Sequence, residues 1–160
     1  MDAPAQAVDR RAGGVATWHV LEATPRRTAA QRERAMLRQA LWIGIGGLLG
    51  ANARVLVASW VSAWLGTLIP YGTLIVNLSG CLLLGFLMGV LEAWPLPPVL
   101  RPALATGFIG AYTTFSTFAY ETILLIREGS LLLATIYVLG SLLVGLAAVW
   151  LGLVAARALG

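Results

Sequence analysis

A cluster of hydroxyl side chains lies inside a long apolar stretch of the chain. The segment YTTFSTFAYE, residues 112–121, carries Thr113, Thr114, Ser116 and Thr117 among aromatic residues. In water such a cluster would need no explanation, but in a lipid bilayer each hydroxyl costs free energy unless a hydrogen-bond partner uses it. The first question is therefore what these donors bind.

The residues before the cluster predict a helix that is broken there. Gly107 and Gly110 precede Thr113 and Thr114, and glycine and β-branched residues both weaken an α-helix. A helix interrupted at mid-membrane frees backbone carbonyls and amides, which protein or a water-filled cavity must then satisfy. The carbonyls that end the first half would suit a hard cation, and the amino end of the second half would favour an anion.

Three other polar residues interrupt apolar stretches. Asn77 lies between Val76 and Leu78, where its amide can bond to another helix or donate to an aqueous pathway, and the sequence leaves both open. Arg54 lies inside the first stretch, where a guanidinium must snorkel or pair, so it is a functional candidate. Glu121 lies near the end of its stretch and is interpreted as an interfacial carboxylate.

Two phenylalanines flank the hydroxyl cluster. Phe115 and Phe118 are three residues apart and so lie on one face of a helix. Packing in a core is the interpretation that the residues alone favour. The alternative is that the positive edges of the two rings face an anion.

The composition predicts an all-α integral membrane protein. The chain of 160 residues is 59% hydrophobic and only 11% charged, whereas soluble domains have about 25% charged residues. Each of four apolar stretches exceeds the ~20 residues that cross ~30 Å of hydrocarbon. The predicted transmembrane helices, the third broken near its middle, are residues 37–62, 71–93, 99–126 and 130–156.

The chain divides into a tail and a membrane domain. Residues 1–36 are polar and rich in arginine, which predicts a disordered tail with a helix from Ala29 as the alternative, and residues 37–160 form the domain. The tail arginines favour a cytoplasmic N-terminus, since arginine is enriched on that side. Outside the tail the two sides are almost balanced, which permits insertion in both orientations. Nucleic-acid binding is not expected, because acids are mixed with the arginines.

Several function classes fit the residues less well. Cys81 and His19 are single residues of their kind and form no cluster for a transition metal, and no nucleophile–base pair indicates an enzyme. A multidrug exporter of four helices needs a carboxylate deep in its first helix, and residues 39–62 have none. A non-transporting assembly subunit would explain the helices but would leave the hydroxyl cluster unused.

The chain resembles the CrcB/Fluc fluoride channel family. The resemblance lies in GGLLGANARVLV (46–57), GTLIVNLSGCLLLGFL (72–87) and TGFIGAYTTFSTFAYE (106–121). It covers the first three predicted spans, and the long tail is the main departure. It implies passive, fluoride-selective export through the bacterial inner membrane, which confers fluoride resistance. It also implies a dual-topology homodimer of two antiparallel copies in membrane lipid.

The resemblance also assigns residues. A structural sodium ion at the dimer centre would bind the backbone carbonyls of Gly110 and Thr113, and Arg54 matches an essential arginine of the family. Gly145 stands where a further serine is common in the family. The residues that match the fluoride pathway are Asn77, Phe115, Phe118, Thr114, Thr117, Tyr137 and Ser141.

Overall fold

The computed structural model describes residues 28–66, 68–94 and 96–159, and in these ranges all regular structure is helical. Residues 1–27, which include His19 and most of the predicted tail, lie outside the described residues. The helices are α1 (Ala29–Leu65), α2 (Tyr71–Ala93), α3 (residues 100–112), α4 (Phe115–Arg127) and α5 (Leu131–Arg157).

Helix α1 begins before the predicted first span. The Thr28 side chain accepts a hydrogen bond from the Gln31 amide, at 3.3 Å, and the Gln31 side chain accepts one from the Thr28 amide, at 2.9 Å. This reciprocal cap satisfies two amides that a helix start would otherwise leave unpaired. Residues 29–36, assigned to the tail with a helix as the alternative, are therefore the first turns of α1.

Three helices of the described ranges, α1, α2 and α5, are long and apolar enough to cross a membrane. Helix α2 has the bounds predicted for the second span, and α5 begins and ends within one residue of the predicted fourth. Together with the low content of charged residues, these helices make the chain a multi-pass membrane protein.

The third predicted span is divided into two helices. Helix α3 consists of a turn at Leu100–Pro102, a π-helical stretch at Ala103–Ile109 and a final turn at Gly110–Tyr112. The next two residues are extended, and α4 begins directly after them. The predicted break is thus present, whereas nothing in the sequence analysis anticipated the π-helical stretch.

Glycines let the other helices approach closely enough to position this break. A side chain on Gly46 or Gly50 of α1 would collide with backbone of α3, and a Cβ on Gly107 would lie 2.6 Å from the Ile43 carbonyl oxygen. Helix α2 makes a similar contact with α5, where Gly85 packs directly against the α5 backbone. Small residues allow such approach in lipid, where van der Waals contact drives helix association.

Candidate ion site at the helix break

The side chain of Asn77 pairs with the broken backbone. Its Nδ2 donates to the Thr114 carbonyl at 3.0 Å, and its Oδ1 accepts from the Thr114 amide at 2.8 Å. One amide on α2 therefore satisfies both backbone groups of a buried, extended residue. The structure favours the helix–helix bond for Asn77, yet Nδ2 carries a second N–H that this pairing does not use.

The hydroxyl cluster starts helix α4. Thr114 Oγ1 accepts from the Thr117 amide at 3.2 Å and donates to Thr117 Oγ1 at 2.9 Å. Thr114 is thus the N-cap, in an extended conformation that a helix-capping threonine prefers. A third hydroxyl, Ser116 Oγ, lies 3.3 Å from Thr114 Oγ1. Part of the hydroxyl cluster noted in the sequence is therefore occupied by the hydrogen bonds that start helix α4.

The end of α3 leaves carbonyl oxygens without their usual amide donors. The Thr113 amide and side chain both donate to the Ile109 carbonyl, at 3.0 and 3.1 Å. The amide four residues after Gly110 belongs to Thr114 and is bonded to Asn77, and the amide four residues after Thr113 donates to a side-chain hydroxyl. The Gly110 and Thr113 carbonyls are therefore released from helical bonding and suit a hard cation.

A cleft of about 260 Å³ opens beside the break. Both released carbonyls belong to residues that line it, and α2 supplies the opposite wall. Six of the lining residues are Asn77, Cys81, Gly110, Thr113, Thr114 and Phe115.

Three aromatic rings continue from the break toward α5. The centroids of Phe115 and Phe118 are 5.9 Å apart, and those of Phe118 and Tyr137 are 5.1 Å apart, with ring planes tilted by 45° and 47°. Their exposure differs sharply: Phe115 is 80% exposed, whereas Tyr137 is 3% exposed and lies in a core cluster. Phe118 is partly buried against the same cluster, so the predicted pair has one ring packed against the core and one, Phe115, projecting from the single chain.

A carboxyl group links three helices next to these rings. Tyr137 Oη donates to Glu121 Oε2 and Thr73 Oγ1 donates to Glu121 Oε1, each at 2.8 Å. The sequence interpretation of Glu121 as a solvated interfacial group missed this arrangement, and Thr73 was not singled out. Spacing could have found both, since Thr73 lies four residues before Asn77 on α2 and Glu121 three after Phe118 on α4.

The remaining predicted residues lie apart from this network. Ser141, one helical turn after Tyr137, has a buried hydroxyl oxygen with no hydrogen-bond partner among the described residues. Arg54 is half-buried in α1, and the described part of the chain gives it no hydrogen bond or ion pair. Asn52, in contrast, bonds locally to the Leu48 carbonyl at 2.7 Å.

Comparison with known proteins places this geometry in a family. The sequence model described as "CrcB-like protein, Camphor Resistance (CrcB)" matches residues 41–153, which include the break, Asn77, the aromatic rings and Glu121. The chain belongs to the CrcB-like family. The resemblance stated from the sequence is therefore confirmed.

Named relatives of this CrcB-like chain are ion channels. It is 50% identical over 115 residues to the fluoride-specific ion channel FluC of Acidobacterium capsulatum, covering 71% of this chain and 92% of the relative. It is 48% identical over 119 residues to the fluoride-specific ion channel FluC 2 of Moorella thermoacetica (74% and 97%). It is also 48% identical over 116 residues to the channel FluC of Geobacter metallireducens (72% and 94%). Ion channels are a non-enzymatic class, as the sequence analysis predicts for this chain.

Proposed function

We propose that this protein is a fluoride-selective channel that exports fluoride passively across the bacterial inner membrane and lowers its cytoplasmic concentration. The observation that carries the proposal is the helix break whose interrupted backbone is held by Asn77. The names of the relatives support fluoride as the ion.

A fluoride pathway must replace a tightly held water shell with other donors. The second N–H of Asn77 and the hydroxyl groups of the pathway residues are such donors, and the ring edges of Phe115 and Phe118 add weaker contacts that do not trap the ion. The Ser141 hydroxyl oxygen is buried and has no hydrogen-bond partner among the described residues. This supports the route, because a buried polar group without a partner costs free energy unless a ligand or water uses it. Thr117 offers a further hydroxyl donor, whereas the hydroxyl hydrogens of Thr114 and Tyr137 bond to Thr117 Oγ1 and Glu121 and would reach fluoride only by exchanging those partners.

The carbonyls of Gly110 and Thr113 fit a sodium ion. Both are released from helical bonding and both residues line the same cleft. Carbonyl oxygens are ligands that hard cations prefer, and a second copy would double their number. A bound sodium would supply fixed positive charge that offsets the cost of placing fluoride in a low-dielectric interior.

A second, antiparallel copy would complete the pathway. In one chain Phe115 projects from the surface and the cleft at the break is open on one side. In lipid, van der Waals packing and interhelical hydrogen bonds drive helix association, and a second chain seated on this face would supply such contacts. We therefore propose a dual-topology homodimer in membrane lipid, with four transmembrane crossings per copy, in which the partner covers this face.

Arg54 is proposed as an essential residue of the channel. It is half-buried within α1 and has no hydrogen bond or ion pair in the described part of the chain. A guanidinium inside a membrane helix is costly unless it meets water, lipid headgroups, an anion or a partner chain. Its position on α1 therefore supports a role that a single chain does not display.

Liposomes test the proposed function. Purified protein is reconstituted into vesicles loaded with fluoride or chloride, and efflux is followed with ion-selective electrodes. We expect rapid fluoride release, retained chloride and no release from protein-free vesicles. Equal release of both anions would reject selectivity, and no fluoride release would favour the non-transporting assembly subunit.

A pair of phenylalanine variants tests the pathway. Phe118→Leu removes a ring that packs against Tyr137, whereas Phe86→Leu alters a ring of α2 that is 37% exposed and does not line the cleft at the break. We expect fluoride efflux to fall by about tenfold or more in the first variant, since roughly 1.4 kcal/mol corresponds to tenfold in rate, and to stay unchanged in the second. Equal rates in both would remove Phe118 from the pathway.

Removing sodium tests the proposed cation. Protein purified and reconstituted with N-methylglucamine as the only cation should conduct fluoride more slowly, and added sodium should restore the rate. Efflux that is independent of sodium throughout would argue against the cation and would leave the fluoride pathway standing.

A further inference from the structure

The first turns of α1 extend beyond the membrane. Trp42 and Trp64 lie about six turns apart on this helix, which corresponds to about 33 Å and matches a hydrocarbon layer of about 30 Å. Both rings are exposed, at 38% and 77%, as tryptophans at the two interfaces of a bilayer would be. The helix continues outward from Trp42 to Ala29, about 20 Å at 1.5 Å per residue.

Two arginines and a tryptophan form a stripe along the start of this helix. Arg34, Arg38 and Trp42 follow one another at four-residue spacing, so they share one face of α1, and all are exposed. Arg101 stands on the first turn of α3 at the same end of the bundle, because Gly46 packs against the Ala103 carbonyl.

The charges of these three arginines are unpaired within the part of the chain that the structure describes. Within the described residues, Arg34, Arg38 and Arg101 form no ion pair, whereas Arg157 at the same end is bonded to Glu92 at 3.3 Å. The cations therefore remain available to an external anion.

We propose that the stripe of Arg34, Arg38 and Trp42, with Arg101 beside it, binds the headgroup of an anionic glycerophospholipid. Guanidinium groups pair with phosphate through two parallel hydrogen bonds, and a tryptophan ring resides at headgroup depth. A lipid fits better than a soluble anion because the same turns expose apolar side chains, Leu41 at 69% and Ile45 at 52%, that acyl chains would cover.

This surface is independent of the proposed ion pathway. The family match begins at residue 41, after both arginines of the stripe, so the basic turns lie outside the part of the chain shared with the family model. Lipid binding and fluoride conduction can therefore succeed or fail separately.

Native mass spectrometry of the full chain in detergent tests the proposal. The probes are phosphatidylglycerol and phosphatidylcholine with identical acyl chains. We expect the wild-type protein to retain phosphatidylglycerol preferentially. Arg34→Gln/Arg38→Gln should weaken that preference by about fivefold for each arginine, since a cation near an anionic surface contributes about 1 kcal/mol.

Two control variants each remove one arginine charge outside the stripe. Arg157→Gln alters a paired arginine at the same end, and Arg127→Gln alters an exposed arginine at the C-terminal end of α4. Both should keep the wild-type preference. Unchanged preference in the double variant, or an equal loss in Arg127→Gln, would overturn the proposal.

Measurements on the unaltered protein avoid the risk that a variant fails to fold. Raising the salt concentration from about 0.1 to 1 M shortens the screening length from roughly 10 to 3 Å and should reduce the lipid preference. Millimolar inorganic phosphate should not displace the lipid. A preference that is insensitive to salt, or full displacement by phosphate, would refute lipid binding.

Discussion

Helix α2 makes two contacts of opposite chemistry within one membrane span. Near its start, Asn77 reaches across to an interrupted backbone and bonds both polar groups of Thr114. Near its end, Gly85 and Gly89 bring its backbone into direct contact with α5, and a Cβ on Gly89 would lie 2.6 Å from that of Ala156. Among the described residues the side-chain hydrogen bond between these two helices is the exposed Arg157–Glu92 pair, beyond the glycines.

The difference follows from the state of the partner. Helix α5 is continuous, so its backbone is already satisfied and the contact requires only space. The segment between α3 and α4 is interrupted, so its contact requires a donor and an acceptor at fixed positions. The polar contact should therefore govern conduction, and the glycine contact should govern stability.

Asn77→Ala should have the largest effect, because it leaves the buried Thr114 amide and carbonyl unpaired. At roughly 1–3 kcal/mol for each group, the free energy of unfolding should fall by about 2–6 kcal/mol. Fluoride efflux from liposomes should fall to background. Asn52→Ala is the control, since Asn52 bonds only within its own helix. Efflux near the wild-type rate in Asn77→Ala would contradict the claim that the polar contact of α2 governs conduction.

Gly85→Ala should come next and act on stability. An added methyl group would collide with the Val149 carbonyl, and overpacking of this kind costs about 1–3 kcal/mol. The melting temperature should drop, while the folded protein should remain selective for fluoride over chloride. Gly140→Ala, which meets no atom within 4 Å, should be neutral or slightly stabilising. A loss of selectivity in Gly85→Ala would show that the glycine contact also shapes the pathway.

Tyr137→Phe should have a smaller effect. It removes the hydroxyl that donates to Glu121 at 2.8 Å but keeps the ring that packs on Phe118. The free energy of unfolding should fall by about 0.5–1.5 kcal/mol. Fluoride efflux should be several-fold slower. Tyr120→Phe is the matched control, because Tyr120 is 65% exposed. Equal efflux rates in the two variants would exclude the Tyr137 hydroxyl from conduction.

Arg157→Gln should have the smallest effect on folding and conduction. Its ion pair with Glu92 spans 3.3 Å, but the two side chains are 65% and 58% exposed, so solvent screens the attraction. The free energy of unfolding should change by less than about 1 kcal/mol, and by less still at high salt. A larger loss, or slower fluoride efflux, would show that this exposed pair supports the bundle beyond its electrostatics.

Much of this architecture could be predicted from residue patterns. Helix α2 has the predicted bounds because its apolar run is framed by Pro70 and Trp94. The break was predicted because glycines and adjacent threonines weaken a helix locally. The sequence did not decide whether α1 starts at Ala29, because the capping residues Thr28 and Gln31 lie in a polar, arginine-rich segment that also fits a disordered tail.

The partners of the polar residues could not be predicted in the same way. Asn77 and Thr114 are 37 residues apart, and nothing local indicates that one would bond the other. Glu121 was taken for a solvated group because it lies near a span end, yet two hydroxyls from other helices meet it. Its partners depend on how three helices cross.

The sequence by itself determined that the chain crosses a membrane, where α2 and α5 begin and end to within one residue, and where the third span breaks. These properties depend on hydropathy and backbone preference, which act over a few residues. Only the tertiary structure decided that Asn77 closes the break, that Glu121 joins Thr73 to Tyr137, and that Phe115 projects while Tyr137 is buried. Those outcomes depend on the distance and rotation between helices, which glycine contacts set through space and not along the chain.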